Sequence, residues 1–127
     1  MQYFFGGEAI GHSLSKYFKR EEFACECGCG FDTVDAETLS VLDQVREHFD
    51  SPVVINSGCR CADHNKYIGG AKKSQHVFGR AADIVVKGIE PSDVADYIET
   101  IMDGGGIGRY ETFTHIDTRT KPARWGL

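Results

Sequence analysis

Apolar residues recur at helical spacing along one long segment, residues 35–49. They follow one another at steps of three or four, which places them on one face of a helix: Leu39, Leu42, Val45 and Phe49. Asp35 opens the segment with a side chain suited to accept hydrogen bonds from a first helical turn. The pattern therefore predicts an amphipathic helix with Asp35 as its N-cap.

Short apolar runs bounded by turn-forming residues predict four strands, at 52–57, 81–86, 107–111 and 113–118. A second helix is predicted over 90–103, because a proline suits its first turn and three glycines follow it.

The remaining segments are less regular. Residues 13–24 mix apolar and charged positions and predict a short helix, which Ser13 or Ser15 would cap. The polar segment 58–80 predicts a long loop. Loops between rigid elements carry function more often than the elements themselves, so this loop is where we expect chemistry.

These elements predict an α+β fold, with a small central sheet, antiparallel or mixed, and helices against one face. A chain of 127 residues with 41% hydrophobic content suits one core and not two. We therefore expect a single domain over residues 1–127, with 1–12 as a loosely ordered N-terminal segment.

Charge and hydropathy argue against two kinds of partner. The net charge of −5 disfavours nucleic acid as the main ligand, because phosphate binding needs a basic face. Local basic clusters at 72–73 and 119–124 are the exceptions. No run approaches about 18 apolar residues, so no membrane insertion is expected. The first 20 residues lack the basic and apolar regions of a signal peptide.

Five cysteines fall into two groups, within 25–29 and 59–61. Their C-x-C spacing differs from the C-x-x-C form of zinc knuckles and thioredoxin-like sites. The two groups could meet as a disulfide or as a second, structural metal site, or they could be reduced thiols packed under a loop. A cysteine-liganded zinc or redox module is therefore one alternative function.

A carboxylate stands within an apolar predicted strand at Asp83. Burying it is costly unless it is paired or binds a cation. The ordinary partner would be Arg80 or Arg60, in a buried ion pair. His76, seven residues earlier, offers a metal ligand instead.

The last predicted strand adds a histidine to a second apolar segment. Alternation along this strand places His115 and Asp117 on one face. With His76 and Asp83, His115 completes a recurrent catalytic zinc set, in which three protein ligands leave the fourth position to water. The residues therefore predict a hydrolytic zinc site.

Three motifs occur in the order known from one peptidase family: SGCR-x3-HN from residue 57, GGAKKSQHVFGRAADI from residue 69 and GGIGRYETFTHIDTR from residue 105. Over about residues 14–125 the chain resembles the zinc D-Ala-D-Ala carboxypeptidase family, in its small single-domain branch. The wider superfamily contains the LAS peptidases, named for lysostaphin, the D-Ala-D-Ala enzymes and sonic hedgehog. Each motif alone is weak evidence, whereas the three in order are specific.

The resemblance implies a central antiparallel sheet flanked by helices, with a zinc groove across it. It implies hydrolysis of peptidoglycan peptides, either by removing a terminal D-alanine or by cutting a cross-bridge. One Zn²⁺ would be held by His76, Asp83 and His115. Arg60 corresponds to the arginine that binds a substrate carboxylate or polarises the scissile carbonyl, and a guanidinium suits that task. Ser74 corresponds to a serine that supports substrate or ligand geometry.

One position departs from the family pattern. Better-known members carry the catalytic carboxylate three residues before the last zinc histidine, where this chain has Thr112. The base would then be Asp117 or Glu111. Superfamily members that end in H-x-H bind zinc through the second histidine, an alignment that would make Asp117 the ligand and His115 the base. We favour His115 as the ligand, because neutral imidazole is the commoner zinc donor and Asp117 is then free to act as the base.

The expected partner is the peptidoglycan stem peptide, bound by a monomer at the cell wall or in the periplasm. Without a visible signal peptide, delivery would follow another route, such as phage-type release, or a leader would already have been removed. The main alternative is a non-catalytic module of the same fold that keeps the zinc and binds peptidoglycan or a protein.

Overall fold

The structure, a computed structural model, describes residues 3–4, 15, 17–24, 34–58, 75–76 and 80–126. All five cysteines lie outside these residues, as do Arg60 and Ser74, so what we predicted of them stays a prediction. Most of the segment 1–12 is outside them as well. The single domain over 1–127 also stays a prediction.

Both long helices and all four predicted strands are present, with ends within a few residues of those expected. In chain order the elements are β1 (Tyr3–Phe4), a 3-10 helix (Arg20–Phe23), β2 (Val34–Asp35), α1 (Ala36–Phe49), β3 (Val53–Ser57), β4 (Ala81–Val86), α2 (Pro91–Ile101), β5 (Gly106–Arg109), β6 (Thr114–Asp117) and β7 (Ala123–Gly126). The sequence did not predict β1, β2 or β7.

The main sheet has the strand order β3-β4-β6-β5-β7, and β1 pairs with β2 in a separate antiparallel ribbon. Neighbours in the main sheet are antiparallel except β5 and β7, which run parallel. The α+β fold is therefore confirmed. The sheet is mixed because the last strand returns to the sheet edge alongside β5.

Both helices pack on one face of the main sheet. The strands contribute alternate apolar residues to that face, each at most 1% exposed: Ala82, Ile84, Val86, Ile107 and Ile116. The helices meet them with Leu42, Val45, Val94 and Ile98. Because side chains alternate along a strand, Asp83 and His115 lie on the opposite face. None of the described helices is long and apolar enough to cross a bilayer.

Asp35 caps α1, as the sequence predicts. Its carboxylate accepts a hydrogen bond from the N–H of Thr38 at 2.8 Å and another from the Thr118 hydroxyl at 2.7 Å. A cap of this kind stabilises a helix by about 1 kcal/mol. The bond to Thr118 also fixes the start of α1 against the end of β6, the strand that carries His115.

Ser15 caps a tighter turn than the helix expected over 13–24. Its hydroxyl accepts hydrogen bonds from the N–H groups of Tyr17 and Phe18, and the described chain that follows forms the 3-10 helix. Phe18 and Phe23 are both buried, with ring centroids 5.9 Å apart. Residues five apart do not share one face of an α-helix, so burying both rings favours the irregular path.

Candidate metal centre

The register between β4 and β6 brings two predicted ligands together. Asp83 lies directly opposite His115, and His115 Nδ1 is 2.8 Å from Asp83 Oδ1. A slip of one residue would turn one of these side chains toward the helices. The apolar alternation that fills the core therefore also fixes the site.

His76 reaches the same carboxylate from a turn. Its ring is buried, and its Nε2 is 3.2 Å from Asp83 Oδ1. Its Nδ1 is 2.6 Å from the carbonyl oxygen of Gly58. A carbonyl only accepts, so Nδ1 carries a proton, and in a neutral ring Nε2 has the lone pair. The ligating nitrogen of His76 therefore faces Asp83.

Gly58, the glycine of the SGCR motif, is required by a close approach of two chain segments. A Cβ at this position would lie 2.6 Å from Cα of Phe23 and 2.7 Å from its carbonyl oxygen. The same residue supplies the carbonyl that orients His76. The packing of the 3-10 helix against Gly58 thus supports the site.

Asp117 contacts the other edge of the His115 ring. His115 Nε2 is 2.8 Å from Asp117 Oδ2. Arg119 donates to Asp117 with its backbone N–H at 3.1 Å and with Nε and Nη2 at 2.8 and 2.7 Å. The carboxylate is fully buried and bonded to four donors, which matches its approximately four lone-pair sites.

The three predicted ligands form a donor set that suits a cation. One ligand atom from each of His76, Asp83 and His115 lies within 4.8 Å of the others. Both nitrogens of the His115 ring face carboxylate oxygens, which can only accept hydrogen bonds. A neutral ring has one N–H, so it can donate a hydrogen bond to only one of the two carboxylates. The other nitrogen needs a bound cation or a second proton. Two imidazoles and one carboxylate are a zinc ligand set. The residues therefore fit the predicted metal.

Burial and hydrogen bonding act in opposite directions on the pKa values here. Burial alone would lower the pKa of His115, but its hydrogen bonds to Asp117 and Asp83 raise it above the usual value. Burial alone would raise the pKa of Asp83, but hydrogen bonds to His115 and His76 hold it well below the usual range. The pKa of Asp117 is lowered in the same way by His115 and Arg119. Both carboxylates are therefore ionised at neutral pH.

Two glycines of β5 make room for the side chains around His115. A Cβ at Gly106 would overlap the carboxylate of Asp117. A Cβ at Gly108 would lie 2.6 Å from the indole of Trp125. Gly108 pairs with His115 on one side and with Trp125 on the other, so the G-I-G segment of the third motif is explained by packing.

The two candidate bases occupy different positions around the site. Asp117 lies behind His115, on the ring edge that does not face Asp83. Glu111 is exposed in the turn between β5 and β6, and an extended segment of four residues to His115 spans up to about 13 Å. The substrate-binding residues predicted in the long loop are outside the described part of the chain.

The sequence analysis did not single out Arg119 or Trp125 as site residues. Arg119 belonged to the basic cluster 119–124, and it neutralises Asp117 instead of presenting a free charge. Arg124, from the same cluster, pairs with Glu99 at 2.7 Å. The available signal was the spacing, because an arginine two residues after Asp117 lies on the same side of an extended chain.

A cavity of about 570 Å³ lies beside Arg119. Its walls come from α1, from residues 101–105 and from residues 118–120. His76, Asp83 and His115 do not line it, so this cavity is not the metal centre.

Known protein families that resemble this chain include one of peptidases. The profile of the peptidase M15 family matches residues 16–117, which include all three candidate ligands. The chain belongs to the peptidase M15 family. This membership confirms the family predicted from the three motifs.

Curated relatives of this M15 chain include the peptidoglycan L,D-endopeptidase MepK of Escherichia coli strain K12 and the protein of the same name from Shigella flexneri. Each is 40% identical over 80 residues, which cover 58% of this chain and 42% of the relative. The match therefore spans about two fifths of the length of these relatives.

Proposed function

We propose that this M15 chain is a zinc-dependent peptidase that hydrolyses peptide bonds of bacterial peptidoglycan. The observation that carries the proposal is the convergence of His76, Asp83 and His115 in a member of a peptidase family. The names of the MepK relatives support peptidoglycan as the substrate. They also favour endopeptidase over carboxypeptidase action.

The three ligands would hold zinc and leave a fourth position for water. Bound zinc would lower the pKa of that water to about 7 and polarise the scissile carbonyl. The chain itself supplies the orientation of the ligands. The Gly58 carbonyl accepts a hydrogen bond from His76, and the Asp117 carboxylate accepts one from His115, so each ring turns its lone pair toward Asp83.

We assign Asp117 to orienting His115 and not to removing a proton from water. Its burial and its four hydrogen bonds leave it little capacity to accept a further proton. We then propose Glu111, the second carboxylate that the sequence offers, as the base. Arg60 and Ser74 stay the predicted substrate-binding residues.

A non-catalytic zinc module that binds peptidoglycan is the second candidate. The burial of Asp117 behind His115 favours it, because binding needs no base beside the metal. The cysteine-liganded alternative is less well supported, because two imidazoles and a carboxylate complete a ligand set without sulfur.

The substrate would place the protein at the cell wall or in the periplasm, in contact with stem peptides. We expect a monomer, because a single chain carries the complete ligand set.

Mass analysis of soluble products from purified peptidoglycan tests the proposal. We expect new peptide fragments with the zinc-loaded protein, none after chelation and full recovery on adding zinc back. His76→Ala should abolish product formation, whereas His48→Ala, on the exposed side of α1, should leave it unchanged. Zinc-loaded protein that binds peptidoglycan without releasing fragments would favour the non-catalytic module.

A further inference from the structure

The indole of Trp125 lies beside the candidate metal centre. Its ring centroid is 5.1 Å from that of His115. The parallel pairing of β5 and β7 sets Trp125 next to Gly108, whose missing side chain leaves the space that the indole fills. β7 lies after the segment that matches the M15 family, so this neighbour of His115 comes from outside the matched residues.

Two contacts fix the orientation of the indole. Trp125 Nε1 donates a hydrogen bond to the Tyr110 hydroxyl at 2.8 Å. The guanidinium of Arg119 lies 5.1 Å from the indole centroid, within the range of a cation–π contact. The ring is therefore held in one position and does not have to be ordered when a ligand arrives.

Tyr110 and Phe113 extend this surface along the hairpin. Their rings stack with centroids 4.3 Å apart, and Tyr110 is 39% exposed. Trp125 and Phe113 are each partly exposed. We call Trp125, Tyr110 and Phe113 the aromatic ledge. Core packing does not account for it, because the apolar core lies on the other face of the sheet.

A fixed, partly exposed aromatic surface next to a hydrolytic centre suits an apolar part of the substrate. The distance between the Trp125 and His115 rings narrows the choice of substrate group. An indole with its centroid 5.1 Å from that of a candidate ligand ring lies within reach of groups that flank a bond held at the metal. In a peptide these groups are the side chains on either side of the scissile bond.

We propose that the aromatic ledge is one wall of the substrate groove and that Trp125 packs against the aliphatic side chain of a residue flanking the scissile bond. This inference rests on the proposed function and adds a specificity-determining residue to it. An apolar contact with one methyl group favours its carrier by about tenfold or more in kcat/KM.

Kinetics on matched peptides test the proposal. Stem peptides are compared with analogues in which alanine beside the scissile bond is replaced by glycine. We expect the wild type to prefer alanine by about tenfold. Trp125→Ala should reduce this preference to near one with zinc content retained, and Trp125→Phe should keep part of it. Arg124→Gln, on the same strand but the opposite face, is the control and should keep the full preference.

An unchanged preference in zinc-loaded Trp125→Ala would overturn the inference while leaving peptidase activity intact. Failure of the wild type to cleave any peptidoglycan peptide would instead remove the proposed function.

Trp125 is the chain's single tryptophan, so its fluorescence reports on the ledge without any variant. We expect a glycan-free stem tripeptide to shift the emission, with the same saturation midpoint as its inhibition of hydrolysis. No shift at concentrations that inhibit would contradict the contact. A shift produced only by glycan-bearing fragments would assign the ledge to sugar and overturn the peptide assignment. If Trp125→Ala fails to fold, this measurement on the wild type decides the question.

Discussion

Asp117→Asn removes the charge of the carboxylate that orients His115 and nearly keeps its shape. Asparagine offers one acceptor oxygen where aspartate offers two, and its amide nitrogen is a donor. In the wild type each carboxylate oxygen meets two donors: Oδ1 the backbone N–H and Nε of Arg119, and Oδ2 the ring of His115 and Nη2 of Arg119. With the amide nitrogen at the Oδ1 position, the backbone N–H and Nε of Arg119 both lose their acceptor. With the amide nitrogen at the Oδ2 position, Nη2 of Arg119 loses its acceptor, and His115 keeps a hydrogen bond only by moving its proton to Nδ1.

The expected loss of stability follows from the hydrogen bonds that Arg119 loses. A hydrogen bond to a charged group contributes about 1.5–3 kcal/mol. The side chain of Arg119 is 32% exposed, so solvent screens it and the lower end applies. We therefore expect Asp117→Asn to lower the free energy of unfolding of the metal-free protein by about 1.5–3 kcal/mol.

Zinc affinity should fall as well, because His115 loses the group that fixes its tautomer. Removing such a partner weakens metal binding by about 10- to 100-fold. Competition with a chromophoric chelator measures the affinity, and denaturant unfolding measures the stability. Asp50→Asn is the matched control, because it makes the same change at a side chain that is 98% exposed, and should alter neither quantity.

The opposite pattern would refute the assigned role. If Asp117→Asn kept wild-type zinc affinity but lost hydrolysis by a hundredfold or more, Asp117 would be the base, the role that the sequence favours. Complete loss of zinc would make Asp117 a ligand.

Three further predictions follow from the same contacts. Gly106→Ala should weaken zinc binding, measured by chelator competition, because its methyl group displaces the Asp117 carboxylate. Gly104→Ala is the control: only the Thr120 carbonyl oxygen is nearby, at 3.5 Å, so zinc affinity should not change. Glu111→Gln should retain zinc but lower kcat by about a hundredfold or more if Glu111 is the base, and full activity would exclude that role. The increase in thermal stability on zinc binding should grow from about pH 5 to about pH 8, because protons compete for the ligands at low pH. In the same pH range the metal-free protein loses stability. The pKa of His115 is raised in the folded state, so His115 stabilises the fold while it is protonated, and this contribution disappears as the pH rises through that pKa. If calorimetric scans showed that the stability gained on zinc binding stays constant or falls as the pH rises, the prediction would be wrong.

The sequence singled out three candidate ligands that the structure brings together, because two of them stand where local patterns are strongest. Asp83 and His115 interrupt apolar strands, and alternation alone placed them away from the core. Their direct pairing depends on the register between β4 and β6, which no local pattern specifies. The structure supplies this register.

The roles of Asp117 and Trp125 were less accessible from sequence. Alternation placed Asp117 on the face of His115 but could not show which edge of the ring it contacts. Trp125 lies in a four-residue strand, Ala123–Gly126, whose positions alternate between partly exposed and exposed and none of which is buried. That strand is positioned by parallel pairing with β5, a long-range contact. For the same reason the sheet is mixed where the family resemblance implied an antiparallel one.

Zinc X-ray absorption on the protein loaded with one equivalent of metal tests the central claim most directly, because it reports the ligand atoms themselves. With His76, Asp83 and His115 as ligands, we predict a first shell of nitrogen and oxygen at about 2.0–2.1 Å with imidazole scattering behind it. The shell should lose one imidazole in His115→Ala. A sulfur shell at about 2.3 Å would contradict the account, because it would assign the metal to the cysteines.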